Sequence, residues 1–96
     1  MNQYSINKLP SDVLLEFAQK HRKLRKQKKL SQSELAVRSG VSLGSVKRFE
    51  SSGKISLESL LKLAYILDRL EDFSEVFVIS PQDNIKSLFR NENSNR

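Results

Sequence analysis

The chain has 96 residues, of which 17 are Lys or Arg and 11 are Asp or Glu, so its formal net charge is +6. It contains no Cys, which excludes a disulfide framework, a thiolate zinc site and a cysteine nucleophile. The length predicts one small domain with a single core. No apolar run approaches the ~20 residues of a membrane helix or the ~7–15 of a signal peptide, so we expect a soluble, cytoplasmic protein without membrane contact.

The basic charge lies mainly in the first half of the chain. Residues 1–54 hold 12 Lys and Arg against 4 Asp and Glu, whereas residues 55–96 hold 5 against 7. Seven of the basic residues fall within residues 20–29. This asymmetry indicates one half that faces a polyanion and another half with a different role. A solvated lysine-rich helix face or a membrane-surface helix would produce the same charge run.

The first predicted helix begins with Ser11 as its N-cap and Asp12 in its first turn, and it ends near Lys28. Its apolar side has the i, i+3, i+4, i+7 spacing of an amphipathic helix. That side comprises Leu14, Phe17, Ala18, His21, Leu24 and Arg25. We expect it to face the core.

A second helix is predicted over residues 32–39. Ser31 and Glu34 have the spacing of a capping box at its start. Gly40 ends it, because glycine tolerates the positive φ that a helix C-terminus often needs. Ser42 is then the expected N-cap of a third helix, over residues 43–51.

The second and third helices have the residues that a helix-turn-helix requires. This motif needs a small residue where the helices cross, a glycine at the turn and apolar residues at fixed offsets. Ala36, Gly40, Val46 and Phe49 meet these needs. In such a motif the second of the two helices places its N-terminal residues at base edges in the major groove.

The remaining predicted elements complete the bundle. Ser56 is the expected N-cap of a fourth helix. Its core side comprises Leu57, Leu60, Leu61, Leu63, Ala64 and Leu67. Residues 70–77 predict a short fifth helix, although residues 76–79 also fit a short strand.

The domain boundaries follow from these elements. Residues 1–8 are polar and aperiodic and are expected to form a flexible arm. Residues 9–79 form the predicted helix-turn-helix domain, and residues 80–96 form a C-terminal extension. Within the extension, Ser80-Pro81 opens a further helical turn or two, and residues 90–96 are expected to be disordered.

The stretch SQSELAVRSGVSLGSVKRFESSGKISLESLLKLAYILD resembles the lambda-repressor-like helix-turn-helix family of phage and bacterial repressors. The specific signals are LSQSELA at the start of the motif, SGVS at the turn, a hydrophobic residue followed by Glu near the end of the third helix, and a Leu-rich fourth helix. The resemblance covers residues 14–68. It implies an all-α, compact five-helix domain, here with a short C-terminal extension, that binds double-stranded DNA.

The resemblance also implies roles for individual residues. Gln32 and Ser33 match positions that contact the DNA backbone, as does the loop residue Lys54. Arg25 and Glu50 match a salt bridge between the first and third helices. The positions that enter the groove or lie exposed on the third helix comprise Ser42, Leu43, Gly44, Ser45, Lys47 and Arg48.

Four positions depart from the family pattern, and one of them is Lys29, which stands where the family often has Gly. Leu43 and Gly44 replace polar side chains that commonly contact bases. Leu43 is suited only to a thymine methyl group, and Gly44 costs the helix about 1 kcal/mol relative to Ala. Base recognition is therefore expected to depend on Lys47, on Arg48, whose guanidinium suits guanine O6 and N7, and on DNA shape. His21 stands where the family often has an aliphatic residue.

No constellation of residues supports catalysis. His21 is the only His and is expected to be a partly buried core residue, because no other ligands are spaced for a metal. The acidic residues of the fifth helix are expected to form a solvated face. There is neither a nucleophile elbow nor a phosphate-binding glycine loop. We therefore expect no enzymatic activity, no catalytic residue, no metal and no cofactor.

The segment RLEDFSEVFVISPQDNIKSLF resembles the tails of small repressors that act as antitoxins to HipA-type kinase toxins. This resemblance implies a homodimer that represses its own operon and binds a toxin kinase. The expected dimer or partner interface comprises Phe73, Val76, Phe77 and Ile79. Phe73, Phe77 and Ile79 fit the protein's own core equally well. Two alternatives remain open: a phage-type or restriction-modification controller regulator, and a protein-interaction module that docks a partner through the C-terminal half.

Overall fold

The computed structural model describes residues 8–83, in which all regular secondary structure is helical and no residue is in a β-strand. The four α-helices are α1 (Pro10–Gln27), α2 (Gln32–Ser39), α3 (Leu43–Ser52) and α4 (Leu57–Ile66). A short 3-10 helix at Leu70–Phe73 follows, and residues 81–83 form one helical turn. The all-α, five-helix prediction is confirmed, with a 3-10 helix as the fifth element. The expected N-terminal arm (except Lys8) and the extension beyond residue 83 lie outside the described residues.

Serine caps start three of the helices at the predicted positions. The backbone N–H of Glu34 donates to Ser31 Oγ at 3.0 Å, and the backbone N–H of Ser31 donates to Glu34 Oε1 at 2.7 Å. Hydrogen bonds to the Glu34 carboxylate from Ser31, first of all from its backbone N–H, hold the pKa of Glu34 below its ordinary value. Ser42 and Ser56 each accept a hydrogen bond from the backbone N–H three residues later, at 3.1 Å. These local interactions satisfy donors that a helix N-terminus would otherwise leave free.

The first helix begins earlier than the sequence predicts. Its N-cap is Leu9 rather than Ser11, and Pro10 is its first residue. Asp12 Oδ2 accepts a hydrogen bond from the backbone N–H of Leu9 at 2.9 Å. Proline suits the first helical position because it lacks an N–H that would need an acceptor and its φ is already helical. The prediction of Ser11 as N-cap is therefore wrong.

The buried core lies between α2, α3 and α4. It comprises Leu35, Ala36, Val41, Val46, Phe49, Leu63 and Leu67. The predicted core residues Leu14, Phe17 and Leu57 are exposed instead. Leu57 is the first residue of α4, at the edge of the bundle. Leu14 and Phe17 lie in the N-terminal half of α1, where about two fifths of each residue's surface stays exposed.

Gly53 allows the end of α3 to approach α1 closely. It follows α3 with φ +83°, a left-handed conformation that favours glycine. A Cβ atom at this position would lie 2.6 Å from the carbonyl carbon of Leu14. The contact fixes α3 against α1.

The fifth helix is shorter than predicted. Only Leu70–Phe73 is helical, and the geometry is 3-10. Residues 74–77 form turns and residues 78–80 have no regular structure, so residues 76–79 are neither helix nor strand. Phe77 has φ +62°, which interrupts a right-handed helix. None of the residues of the 3-10 helix is fully buried, and without burial a sequence of this length does not sustain an α-helix.

Candidate nucleic-acid interface

The turn between α2 and α3 fixes the two helices relative to each other. Gly40 adopts φ +77° and donates its backbone N–H to the carbonyl oxygen of Ala36 at 2.9 Å. Val41 is buried, and its backbone N–H donates to Ser39 Oγ at 3.2 Å. The turn therefore has a buried apolar anchor and satisfied backbone groups. The arrangement is that of a helix-turn-helix, with α3 as the second helix.

The outward face of α3 presents two basic side chains. Lys47 and Arg48 are exposed, and neither side chain forms a hydrogen bond or ion pair within residues 8–83. At the start of α3, Ser42 Oγ donates to Ser45 Oγ at 2.9 Å, so the two hydroxyl groups hold each other in place. This face offers two cations and two oriented hydroxyl groups, a set suited to phosphates and base edges.

Leu43 and Gly44 contribute to this face in different ways. Leu43 is half-buried and packs against the core, so only part of its side chain is available to a ligand. Gly44 is exposed, and a Cβ atom added to it would have no neighbour within 4 Å. The fold itself therefore does not require a glycine at position 44.

The start of α2 lies beside α3 through a side-chain contact. Gln32 is half-buried, and its Nε2 donates to Glu50 Oε1 at 3.0 Å. Ser33 is exposed. The first backbone N–H groups of any helix lack an acceptor within the helix, and they carry the positive end of its dipole. The start of α2 therefore offers polar donors next to the α3 face.

The loop after α3 is also ordered by hydrogen bonds. The hydroxyl groups of Ser51 and Ser52 donate to the carbonyl oxygen of Arg48, at 3.2 and 2.7 Å. The backbone N–H of Lys54 donates to Ser52 Oγ at 3.2 Å. The Lys54 side chain is exposed. The loop thus presents one further cation from a fixed backbone.

A buried polar cluster joins α1, α2 and α3, and we call it the Glu50 cluster. Glu50 accepts hydrogen bonds from Arg25 Nε at 2.9 Å, Arg25 Nη2 at 2.8 Å, His21 Nδ1 at 2.7 Å and Gln32 Nε2 at 3.0 Å. Arg25 Nη1 donates to the carbonyl oxygen of Leu30 at 2.8 Å. Arg25 and Glu50 thus form a salt bridge, and the same carboxylate also holds a core histidine and a residue of the predicted DNA face.

The protonation states follow from burial and charge. Burial raises the pKa of Glu50, but the hydrogen bonds from Arg25 and Gln32 and the nearby positive charge outweigh it and hold that pKa below its ordinary value. Burial lowers the pKa of His21, against the opposing effect of Glu50. A neutral His21 donates from Nδ1, and its buried Nε2 has no hydrogen-bond partner among residues 8–83. The ring packs edge-on against Phe49, at a centroid distance of 4.9 Å.

Sequence reasoning did not place His21 and Gln32 in this cluster. The sequence predicts His21 as a core residue without a named partner and Gln32 as a DNA contact only. One signal was available: His21 lies four residues before Arg25, and residues at that spacing share a helix face. The contact between Gln32 and Glu50 has no comparable local signal, because 18 residues separate them.

The basic run of residues 20–29 does not form one surface. Arg25 is buried in the Glu50 cluster. Lys20, Arg22, Lys23 and Lys26 line a shallow groove on the exposed side of α1 together with Glu16 and Gln19. The exposed lysines add long-range attraction for a polyanion.

Within residues 8–83 there is no group of three or more His, Cys, Asp or Glu placed to hold a metal ion. No helix there is both long and apolar enough to cross a membrane.

Comparison with known proteins identifies one match. The profile of the protein family described as Helix-turn-helix matches residues 22–81. This span includes the end of α1, all of α2, α3 and α4, and the 3-10 helix. Searches of the curated proteins and of the solved structures found no match.

Proposed function

This chain belongs to the helix-turn-helix family of DNA-binding transcription regulators, and from that premise we propose that it is a dimeric repressor of a specific operator. We further propose that it regulates its own operon as the antitoxin of a HipA-type kinase toxin. The observation that carries the DNA-binding part is the exposed α3 face, on which Lys47 and Arg48 form no contact within residues 8–83.

The proposed contacts divide into two classes. Arg48 and Lys47 contact base edges, with Arg48 placed to form paired hydrogen bonds with guanine. Gln32, Ser33 and Lys54 contact phosphates and set the register of the protein on the duplex. The positions at the start of α3 that lie against the major groove of the DNA comprise Ser42, Leu43, Gly44 and Ser45.

The two classes predict different outcomes in a binding assay. Fluorescence anisotropy would use a duplex from the region upstream of the protein's own gene and a scrambled duplex of equal composition. Arg48→Ala is expected to lose about 1–3 kcal/mol on the upstream duplex only, whereas Lys54→Ala is expected to weaken both duplexes equally. Log K should fall with log salt by about 0.9 per phosphate neutralised. Unchanged preference for the upstream duplex in Arg48→Ala would contradict the assignment of Arg48.

Dimerisation is supported by the apolar residues at the C-terminal end of the described chain. Val76, Phe77 and Ile79 are exposed and Phe73 is half-buried. A single module of this size buries only about 600–1,000 Å² on DNA, and a dimer that binds two half-sites gains both affinity and specificity. Sedimentation velocity of the free protein tests this part, and a monomer at all concentrations up to about 100-fold above the DNA Kd would contradict it.

A second candidate function is a protein-interaction module. The same exposed apolar residues, with Glu71 and Glu75 nearby, favour it because exposed apolar runs mark interaction sites. Absence of DNA retention at low salt, together with co-purification of the product of a neighbouring gene, would favour this function. Retention on the upstream duplex together with co-purification of a kinase would support the antitoxin role. Retention without a toxin partner would leave a phage-type or restriction-modification controller.

A further inference from the structure

A groove lies between the last turn of α2 and the exposed side of α4. Its floor is apolar and comprises Leu61, Tyr65, Ile66 and Leu70. Arg38, Lys62 and Glu58 also line it, and Lys62 forms a long, exposed ion pair of 3.6 Å with Glu58. Tyr65 is 69% exposed. The groove therefore offers an apolar surface bordered by two cations and one carboxylate.

The chain leaves this groove at Leu70 and soon reaches an unusual segment. Residues 76–79 are four consecutive apolar residues, all exposed, and we call them the apolar segment. Runs of this kind are unfavourable on a free surface unless they serve an interaction. Phe77 is 97% exposed and has φ +62°. A bulky residue in this conformation costs about 1–3 kcal/mol and persists where its surroundings hold it, yet residues 8–83 provide no such packing.

The charges around the two surfaces are complementary. Glu71 and Glu75 flank the apolar segment on its N-terminal side, and Asp72 is paired with Arg69 at 2.9 Å. The groove is lined by two cations, Arg38 and Lys62, and by one carboxylate, Glu58, so positive charge exceeds negative by one. A ligand for this groove should therefore combine apolar side chains with acidic residues before them. The segment of residues 71–79 has this composition.

We propose that in the dimer the apolar segment of each subunit lies in the α2–α4 groove of the other. One chain carries both complementary surfaces, so a two-fold dimer covers two grooves and two segments at once. Within one chain the segment does not occupy its own groove, since Phe77 is almost fully exposed. This inference rests on the dimer of the proposed function and names the surface that receives the apolar segment.

Two exposed positions allow each surface to be changed separately. Tyr65→Asp places a negative charge in the groove, and Phe77→Ser removes the most exposed side chain of the segment. Leu57→Asp is the control, because Leu57 is also on α4 and is 66% exposed but does not line the groove. Circular dichroism checks that each variant folds. Tyr65→Asp and Phe77→Ser should each raise the dimer Kd at least tenfold in sedimentation velocity, and Leu57→Asp should leave it unchanged.

A mixture of the two variants supplies the decisive measurement. A mixed dimer joins the intact segment of Tyr65→Asp to the intact groove of Phe77→Ser, so an equimolar mixture should dimerise more strongly than either variant alone. The proposed exchange of apolar segments between subunits would be overturned if the mixture dimerised no more strongly than the separate variants. It would also be overturned if Tyr65→Asp dimerised as strongly as wild type. Wild-type dimerisation by Phe77→Ser with lost capture of another protein would also overturn it, in favour of a heterologous partner. A monomeric wild-type protein would instead refute the dimer of the proposed function, and DNA retention is measured separately.

Discussion

The Glu50 cluster allows a stability prediction of definite size. Glu50→Ala removes a carboxylate whose side chain is 3% exposed and which accepts four hydrogen bonds from three side chains. Arg25, with a side chain 8% exposed, keeps only its hydrogen bond to Leu30. Removing one partner of a buried ion pair costs about 3–5 kcal/mol, because the other charge stays buried and uncompensated. A domain of this size has a total stability of about 5–15 kcal/mol, so a large fraction is lost.

Chemical and thermal unfolding measure this loss. Each 1 kcal/mol moves Tm by about 4–8 °C in a domain of this size, so Tm should fall by at least about 12 °C. Glu58→Ala is the matched control, because Glu58 is 81% exposed and its ion pair with Lys62 is 3.6 Å long. An exposed pair of this kind contributes about 0.3–0.5 kcal/mol. Glu50→Gln keeps the shape and one acceptor oxygen, and it should lie between the two.

A small loss of stability in Glu50→Ala would refute the role given to the Glu50 cluster. If Glu50→Ala lowered the free energy of unfolding by less than about 1 kcal/mol, as expected of ordinary surface substitutions, the cluster would not hold the three helices together. An unchanged denaturant m-value is needed for the comparison, because it shows that the unfolded state has not changed.

Three further predictions concern His21 and the glycines. Because burial holds the pKa of His21 below its ordinary value, the unfolded chain binds a proton more readily. The free energy of unfolding should therefore fall as the pH drops below about 6.5, and His21→Asn should flatten this slope in urea titrations. Gly53→Ala should lower the free energy of unfolding by at least about 3 kcal/mol, and Gly40→Ala by only about 1–2 kcal/mol. The reason is that only at position 53 would the added Cβ clash with Leu14. Equal losses of Tm in the two variants would contradict this prediction. Gly44→Ala should stabilise the free protein by up to about 1 kcal/mol, and a lower Tm would argue against it.

Local signals explain why most of the fold could be predicted from the sequence. Ser31, Ser42 and Ser56 start helices through hydrogen bonds to residues three positions later. Gly40 ends α2 with the positive φ that its identity suggests. Each of these features depends on a few consecutive residues and on the preferences of one side chain. The prediction of Ser11 as the N-cap of α1 is wrong because Pro10, which suits the first helical position, begins the helix one residue earlier.

Features that depend on distant residues could not be predicted in the same way. The hydrogen bond between His21 and Glu50 joins residues 29 positions apart, and periodicity shows only that each faces inward. The apolar spacing of residues 70–77 predicted an α-helix, but a helix of this length needs burial to persist. The 3-10 helix has no fully buried residue. The exposure of Leu14 and Phe17 likewise depends on how distant segments pack against α1, which the apolar spacing within α1 does not reveal.

The residues proposed to bind DNA differ in what their substitution can reveal. Gln32 contacts Glu50, so a Gln32 variant disturbs the cluster that joins α1, α2 and α3, and any loss of DNA affinity would mix two causes. Lys47 and Arg48 have exposed side chains without partners within residues 8–83. Their substitution should leave the free energy of unfolding within about 0.5 kcal/mol of wild type. An affinity loss in those variants therefore reports on DNA contact alone, which makes the α3 face the direct test of the proposed repressor.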